Sequence, residues 1–133
     1  MSDTPEDLDL DRAIDRLGEE GVLRLVATFY DAMDQLPEAA GIRAMHATDL
    51  REARRKLGLF LIGRFGGRDT YVRERGHPRL RARHFPFPIG LDEAAQWMTC
   101  MQVALDREVA DPALRELLRD FFAHVAAHMV NRA

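Results

Sequence analysis

The chain has 133 residues, of which 47% are hydrophobic and 31% are charged, and these values exclude a disordered chain. The length predicts a single domain over residues 1–133, and the longest apolar run, 59–62, is too short to span a membrane. The 19 basic and 22 acidic residues give a net charge of -3, which argues against nucleic acid and anionic membranes as partners. One cysteine cannot form an internal disulfide, so we expect a reducing compartment, the cytoplasm.

Helical patterning fills the first third of the chain. We expect residues 1–10 to form a loose, polar extension, after which a helix runs from Asp11 until Pro37 ends it. A short helix is predicted from Pro37 to Ala44, because proline suits the first turn of a helix. The long helix is amphipathic, since its apolar residues recur at steps of three and four: Val22, Leu25, Val26, Phe29, Met33 and Leu36.

Another amphipathic helix is predicted next. Thr48 and Asp49 are good N-cap residues, and the pair Gly66 and Gly67 stops the helix. Residues 66–90 then break the helical pattern with glycines and prolines, which is typical of a solvated connector or of a segment shaped around a ligand. The apolar stripe of the helix comprises Leu50, Ala53, Leu57, Phe60, Leu61 and Phe65.

Two further helices complete the prediction of an all-α fold, with two helix pairs separated by an irregular middle. The last helix has a start signal at Asp111 and Pro112. The apolar face of the third long helix comprises Leu91, Ala94, Trp97, Met98, Met101 and Leu105. That of the last helix comprises Leu114, Leu117, Leu118, Phe121, Phe122, Val125 and Met129.

His84 is the first candidate for chemistry. It lies in the segment 80–89 among aromatic and apolar neighbours, where prolines prevent a long helix. A neutral imidazole in such a setting suits an axial ligand to iron, and the nearby arginines could meet the carboxylates of a haem. The alternative is a histidine that is solvated or merely hydrogen-bonded in a basic loop.

Other polar side chains have both a structural and a functional interpretation. Tyr30 and Trp97 fit a packed core, and the alternative is a pair of hydrogen-bond donors that point into a cavity. His124 and His128 share a helix face at i, i+4 spacing, which suits a metal ion in a helical bundle. The sequence lacks the glutamate of an H-E-x-x-H motif and a nearby third ligand, which argues against that metal site.

Several segments, taken together and in order, resemble group II truncated haemoglobins over about residues 20–130. The most specific is GHPRLRARHFPFPI, residues 76–89, in which His84 is followed thirteen residues later by Trp97. The pair Gly66 and Gly67 matches the family's turn after helix E. The other matching segments are Phe29–Met33, Leu36–Glu38, Ile42–His46 and Trp97–Met101.

The resemblance implies a two-over-two globin fold, in which helix pairs B/E and G/H sandwich a non-covalent haem b. It implies that His84 is the proximal iron ligand and that Tyr30, His46 and Trp97 are the polar residues of the distal, ligand-binding side. Arg83 matches a residue beside the haem propionates. The residues that the resemblance places at the haem are Phe60, Leu61, Tyr71, His77, Leu80, Arg83, His84, Phe87 and Trp97.

Three positions vary within the family that the sequence resembles or depart from its common residues. They are those of His46, Arg64 and Arg68. The position of His46 varies between tyrosine and histidine, and a histidine could donate a hydrogen bond to a bound ligand or compete for the sixth site of the iron. Arg64 and Arg68 stand where tryptophan and proline are common. We therefore expect the end of helix E and its loop to be packed or charged differently here.

The resemblance implies a haem protein, monomeric or homodimeric, that reversibly binds oxygen and other small diatomic ligands. Polar groups around the ligand would also favour redox chemistry, such as conversion of peroxide or nitric oxide, with an unidentified reductase as partner. The alternative from another class is a haem-free helical module that binds a protein partner through its irregular middle.

Overall fold

In a computed structural model of the protein, residues 9–68 and 87–131 are described, and the regular elements in these ranges are all helices. The prediction of an all-α fold is therefore confirmed. Short 3-10 helices, Leu10–Arg12 and Pro37–Ala39, precede the first two α-helices. The α-helices are α1 (Ile14–Gln35), α2 (Ala40–Ala44), α3 (Arg51–Arg64), α4 (Leu91–Glu108) and α5 (Pro112–Met129). None of these helices is long and apolar enough to cross a membrane.

The N-terminal part of the fold differs from the prediction at two residues. Leu10, which the sequence assigned to a loose extension, begins a 3-10 helix and packs against the core. The other residues of that extension, except Asp9, lie outside the described residues. Gly18 kinks α1 with φ 69° and ψ 163°, a conformation that almost only glycine adopts. A single glycine inside a helical pattern is usually tolerated without a break, so the pattern does not predict this kink.

Helix α3 begins and ends close to the predicted positions. Its first residue, Arg51, donates a backbone hydrogen bond to Asp49 Oδ1 at 2.9 Å, so the carboxylate satisfies a group that the helix itself leaves unpaired. At the other end, Gly67 N–H donates to the Ile62 carbonyl at 2.8 Å and Gly66 has a φ of 94°, as in a Schellman motif. The predicted glycine stop is therefore confirmed.

Polar side chains also begin the two later helices. Glu93 Oε1 accepts a hydrogen bond from Gly90 N–H at 2.7 Å at the start of α4. At the start of α5, Asp111 Oδ1 accepts a hydrogen bond from Ala113 N–H at 3.0 Å, and proline occupies the first position of the helix. The predicted start signal of the last helix is confirmed.

The helices pack as two pairs around one core. Helix α1 contacts α3 and α4, and α4 contacts α5, so α1 and α4 join the two pairs. Removal of apolar side chains from water is the main force that holds the pairs together. The largest fully buried side chains include Phe29, Phe65, Phe122, Leu25, Met33, Leu61, Met101, Leu105 and Leu118.

Arg64 and Arg68 bind the end of α3 to the N-terminal segment. Arg64 Nη1 donates to Asp11 Oδ1 at 2.6 Å, and the guanidinium carbon lies 5.4 Å from the centre of the Phe121 ring. Arg68 donates two hydrogen bonds to the Glu19 carboxylate, at 2.7 and 2.8 Å, which lowers the pKa of Glu19 below its ordinary value. The end of α3 is thus held by charged contacts as well as by apolar packing.

Candidate functional site

The three side chains predicted for the distal side come from three different elements. Tyr30 lies on α1 and is buried, with 5% of its surface exposed. His46 follows shortly after α2, and Trp97 lies on α4; both side chains are half-buried. The fold therefore gathers residues that are up to 67 positions apart in the sequence.

A row of ring contacts, which we call the aromatic chain, connects these residues. The Tyr30 ring lies 5.9 Å from the His46 ring and 4.8 Å from the Phe29 ring, both edge to face. Phe29 lies 5.1 Å from Trp97, which in turn lies 5.8 Å from Phe122. Tyr30 and His46 are therefore in direct contact, and Trp97 is joined to them through Phe29.

The Tyr30 hydroxyl has a long hydrogen bond in an apolar environment. It donates to the Ala53 carbonyl oxygen on α3 at 3.5 Å, beyond the usual range for a bond between two oxygens. Burial raises the pKa of Tyr30 to about 12, although the nearby Arg54 cation acts in the opposite direction. The hydroxyl thus keeps its proton at physiological pH and is a donor that its protein partner holds weakly.

The Nδ1 atom of His46 has a backbone partner. It lies 2.9 Å from the carbonyl oxygen of Ile42, one turn earlier. A carbonyl oxygen can only accept a hydrogen bond, so the hydrogen of this bond lies on Nδ1. In the neutral ring the other nitrogen, Nε2, then carries a lone pair rather than a hydrogen.

Arg43 and Gln96, to which the sequence analysis gave no role, bind the backbone around His46. Gln96 Oε1 accepts a hydrogen bond from Ile42 N–H at 2.8 Å. Arg43 Nε donates to Asp34 Oδ1 on α1 at 2.6 Å, and its two terminal nitrogens donate to the carbonyl oxygens of residues 47 and 48, both at 2.9 Å. Arg43 stands in the matching segment Ile42–His46, but neither that segment nor helical periodicity reveals these contacts. The partner of Gln96 is brought close only by the fold.

The other described residues predicted to line a haem differ in exposure. Leu61 on α3 is completely buried, whereas its neighbour Phe60 is half-buried and packs against the core. Phe87 keeps 42% of its surface exposed, and its carbonyl oxygen accepts a hydrogen bond from Asn131 Nδ2 at 2.9 Å. Asn131 Oδ1 also accepts from Ile89 N–H at 3.0 Å, so the segment before α4 is bound to the chain after α5.

The residues predicted for the proximal side of the haem lie outside the described residues. Their roles, including iron ligation by His84 and a propionate contact by Arg83, stay predictions. Of the predicted site, the structure describes the residues assigned to the distal side and three that were predicted to line the haem. The predicted site residues outside the described residues are Tyr71, His77, Leu80, Arg83 and His84.

The remaining titratable candidates are two histidines on α5 and the cysteine on α4. His124 and His128 are exposed on α5, and His124 Nδ1 lies 2.8 Å from the Asp120 carbonyl oxygen of the same helix. Within residues 9–68 and 87–131, no group of three or more His, Cys, Asp or Glu side chains is placed to hold a metal ion. Burial raises the pKa of Cys100 to about 11, so its thiol stays protonated and is a poor nucleophile.

Comparison with known proteins gives consistent matches along most of the chain. The family model of the bacterial-like globins matches residues 13–131. The group 2 truncated hemoglobin YjbI of Bacillus subtilis is 40% identical over 116 residues, covering 87% of this chain and 86% of the relative. The solved group II 2-on-2 hemoglobin of Agrobacterium tumefaciens is 37% identical and superposes with a TM-score of 0.88, covering 96% of this chain and 98% of the other. A truncated oxygen-avid haemoglobin from Bacillus subtilis is 39% identical with a TM-score of 0.81, covering 90% and 99%.

Proposed function

This chain belongs to the bacterial-like globins, as a group II truncated haemoglobin with the two-over-two fold, and we propose that it binds a non-covalent haem b. At the haem it binds oxygen and other small diatomic ligands reversibly. The proposal includes a single globin domain, a cytoplasmic location and a monomeric or homodimeric state. The oxygen avidity of the similar Bacillus subtilis haemoglobin supports oxygen as the ligand.

The observation that carries the proposal is the buried, weakly held hydroxyl of Tyr30. Buried polar groups normally have a good hydrogen-bond partner, and the 3.5 Å bond to Ala53 is a poor one. A protonated donor of this kind, beside His46 and the aromatic chain, suits a region where a small ligand accepts a hydrogen bond. The described residues therefore fit the distal side of a haem.

The remaining parts of the haem site follow from the resemblance. His84 would ligate the iron, and Arg83 would lie beside the propionates, with Tyr71 within reach of one of them. When bound, the haem supplies an iron atom that takes a diatomic ligand and exchanges electrons. The residues that would pack on the macrocycle are Phe60, Leu61, His77, Leu80, Phe87 and Trp97.

The chain's own residues would determine how tightly a ligand is held. Tyr30 and Trp97 carry donors that would stabilise partial negative charge on the ligand, each by about 1.5 to 3 kcal/mol. The apolar rings of the aromatic chain exclude water, which strengthens such bonds. The same donors would favour redox conversion of peroxide or nitric oxide, for which a reductase would supply electrons.

An absorption spectrum of the purified protein tests haem binding directly. We expect an intense Soret band and one haem per chain. A protein that shows no Soret band after reconstitution with haem would be the haem-free interaction module instead.

Substitution of His84 tests the proximal assignment. We expect His84→Ala to abolish stable haem incorporation, because it removes the proposed protein bond to the iron, and added imidazole to restore the spectrum partly. The matched control is the double variant His124→Gln and His128→Gln, in which two exposed histidines are replaced and haem content is retained. A native five-coordinate ferrous spectrum in His84→Ala without imidazole would assign iron ligation to another residue.

A further inference from the structure

Asn131, two residues after α5, binds the segment that leads into α4. Its backbone N–H donates to the Ile89 carbonyl oxygen at 2.8 Å, and its side-chain Oδ1 accepts from Ile89 N–H at 3.0 Å. Its side-chain Nδ2 donates to the Phe87 carbonyl oxygen at 2.9 Å. One residue thus binds three backbone polar groups of a segment that lies 42 to 44 positions earlier in the sequence.

The segment from Phe87 to Ile89 has no regular secondary structure of its own. At its centre, Pro88 has no backbone N–H and a fixed φ, which does not suit the interior of a helix. The backbone polar groups of such a segment need partners from another part of the chain, and Asn131 supplies three of them. The position of this backbone therefore depends on Asn131.

Apolar packing holds the two ends of this segment to different extents. Ile89 has only 6% of its surface exposed, whereas Phe87 has 42% exposed. Removal of apolar surface from water therefore fixes Ile89 more firmly than it fixes Phe87. The bond from Asn131 Nδ2 holds the backbone from which the Phe87 ring projects, at the end of the segment where packing contributes least.

The two side-chain bonds require an amide at position 131. Ile89 N–H can only donate and the Phe87 carbonyl can only accept, so the Asn131 amide has one orientation, with its oxygen towards Ile89. An ionised aspartate would keep the acceptor for Ile89 but would have no hydrogen to donate to Phe87. A leucine has a similar size and can form neither bond.

We propose that Asn131 is a positioning residue, which holds the backbone of Phe87 so that the Phe87 ring packs on the haem and slows haem loss. This inference rests on the proposed function, in which Phe87 is one of the residues that pack on the macrocycle. A ring that is already held in place loses less conformational entropy when it packs against a bound group. Without the contact of Asn131, the segment moves more freely and the haem leaves faster.

Amide hydrogen exchange at Ile89, followed by nuclear magnetic resonance of the ¹⁵N-labelled protein as purified, tests the contact itself. The Ile89 N–H exchanges when its bond to Asn131 opens. We expect Asn131→Leu to speed this exchange about fivefold, the factor for one bond of ordinary strength, and Asn131→Asp to speed it less. The matched control is Gln102→Leu, which removes another half-buried amide, bonded to Asp106 and Arg119 instead. It should leave the exchange at Ile89 unchanged.

Transfer of haem to an acceptor protein tests the consequence for the site. We expect Asn131→Leu and Asn131→Asp each to speed the transfer about fivefold, because both lose the donor to Phe87, while Gln102→Leu keeps the wild-type rate. In a Phe87→Ala background, Asn131→Leu should cause no further acceleration, since the ring through which Asn131 acts is absent. A general loss of stability would add to the effect of Phe87→Ala instead. Circular dichroism verifies that each variant is folded.

The outcomes separate this inference from the proposed function. Unchanged exchange at Ile89 in Asn131→Leu, unchanged haem transfer in that variant, or equal acceleration with and without the Phe87 ring would each overturn the inference while haem binding stands. A wild-type protein that binds no haem after reconstitution would overturn the proposed function, and this inference with it.

Discussion

Burial makes the Tyr30 hydroxyl a permanent donor, because a phenolate in an apolar environment loses the water that stabilises its charge. The same effect couples this residue to the stability of the fold. The pKa of Tyr30 is raised from 10.0 to about 12, so in alkali the unfolded chain releases its proton before the folded chain does. Stability that is fully present below about pH 10 is then lost as the pH rises towards about 12.

We predict that this loss of stability in alkali is absent from the variant Tyr30→Phe. Between about pH 8 and about pH 11 the wild type should lose ~1 kcal/mol more of its unfolding free energy than the variant does. Urea unfolding followed by circular dichroism at the two pH values measures this difference. An equal loss in the wild type and in Tyr30→Phe would show that another group is responsible for it.

We predict that substitutions of Tyr30 and Trp97 have non-additive effects on oxygen release. Each single change, Tyr30→Phe or Trp97→Phe, should speed oxygen dissociation roughly ten- to hundredfold, since each would remove one proposed hydrogen bond to the ligand. The double variant should lose less than the two single effects combined, because both donors share one acceptor and are joined through Phe29. Stopped-flow oxygen release measures all three variants, and strict additivity would show that the two donors act on separate ligands or positions.

The sequence could indicate Tyr30, His46 and Trp97 because each stands in a motif of the family it resembles. It could not indicate the contacts of Gln96, nor those of Arg43, although Arg43 stands in the matching segment Ile42–His46. The partner of Gln96 lies 54 positions away, and Asp34, one of the three partners of Arg43, lies nine positions away; neither contact follows from helical periodicity. Polar contacts of this kind depend on the final packing, whereas candidate donors at motif positions can be proposed from the order of residues.

At the scale of the elements, two glycines have a positive φ, one inside α1 and one just after α3. Gly18 has a positive φ but open space where a Cβ would stand. Gly66 has a positive φ, and a Cβ there would lie 1.9 Å from the Asp11 carbonyl oxygen. Next to this contact, Ile14 N–H donates to the Phe65 carbonyl at 2.9 Å, so the backbones of the two elements touch directly.

We predict a graded response to alanine at these positions. Gly18→Ala should cost about 1 kcal/mol from backbone strain alone, and Gly66→Ala about 3 kcal/mol or more, because the Asp11 backbone must also move. Gly21→Ala is the control, since its Cβ meets only ordinary contacts at 3.4 Å and beyond inside α1. It should be neutral or stabilise by up to about 1 kcal/mol. Urea unfolding ranks the three variants, and equal losses at Gly18 and Gly66 would contradict the contact with Asp11.

The helices themselves were predictable because their apolar residues recur with the helical period and their ends carry glycine, proline or aspartate. The Gly18 kink and the role of Leu10 were not. A glycine inside a helical pattern does not show whether the helix continues or bends there, as it does at Gly18. Leu10 lies in a mainly polar stretch, so the pattern does not indicate that it packs on the core. The outcome in each case depends on the folded structure, which the sequence pattern does not contain.

The aromatic chain joins the proposed distal side to the side chains that pack between the helix pairs. Phe122 on α5 has 1% of its surface exposed and contacts Trp97 on α4. It also lies 6.4 Å from Phe65, which caps α3, and 5.1 Å from Phe121. One ring therefore touches both helix pairs and a proposed ligand donor, so stability and ligand release should change together when it is removed.

We predict that Phe122→Ala lowers the unfolding free energy by about 3 to 5 kcal/mol, through lost burial and the cavity that remains. That is a large share of the roughly 5 to 15 kcal/mol typical of a domain. Leu23→Ala, at a side chain that is 49% exposed, should cost about 0.5 kcal/mol or less and serves as the control. Phe122→Leu should recover most of the stability but not the tilted ring contact with Trp97, so oxygen release in this variant should still differ from the wild type. If Phe122→Leu restores stability and oxygen release alike, the ring contact does not position Trp97, and the distal side is independent of α5.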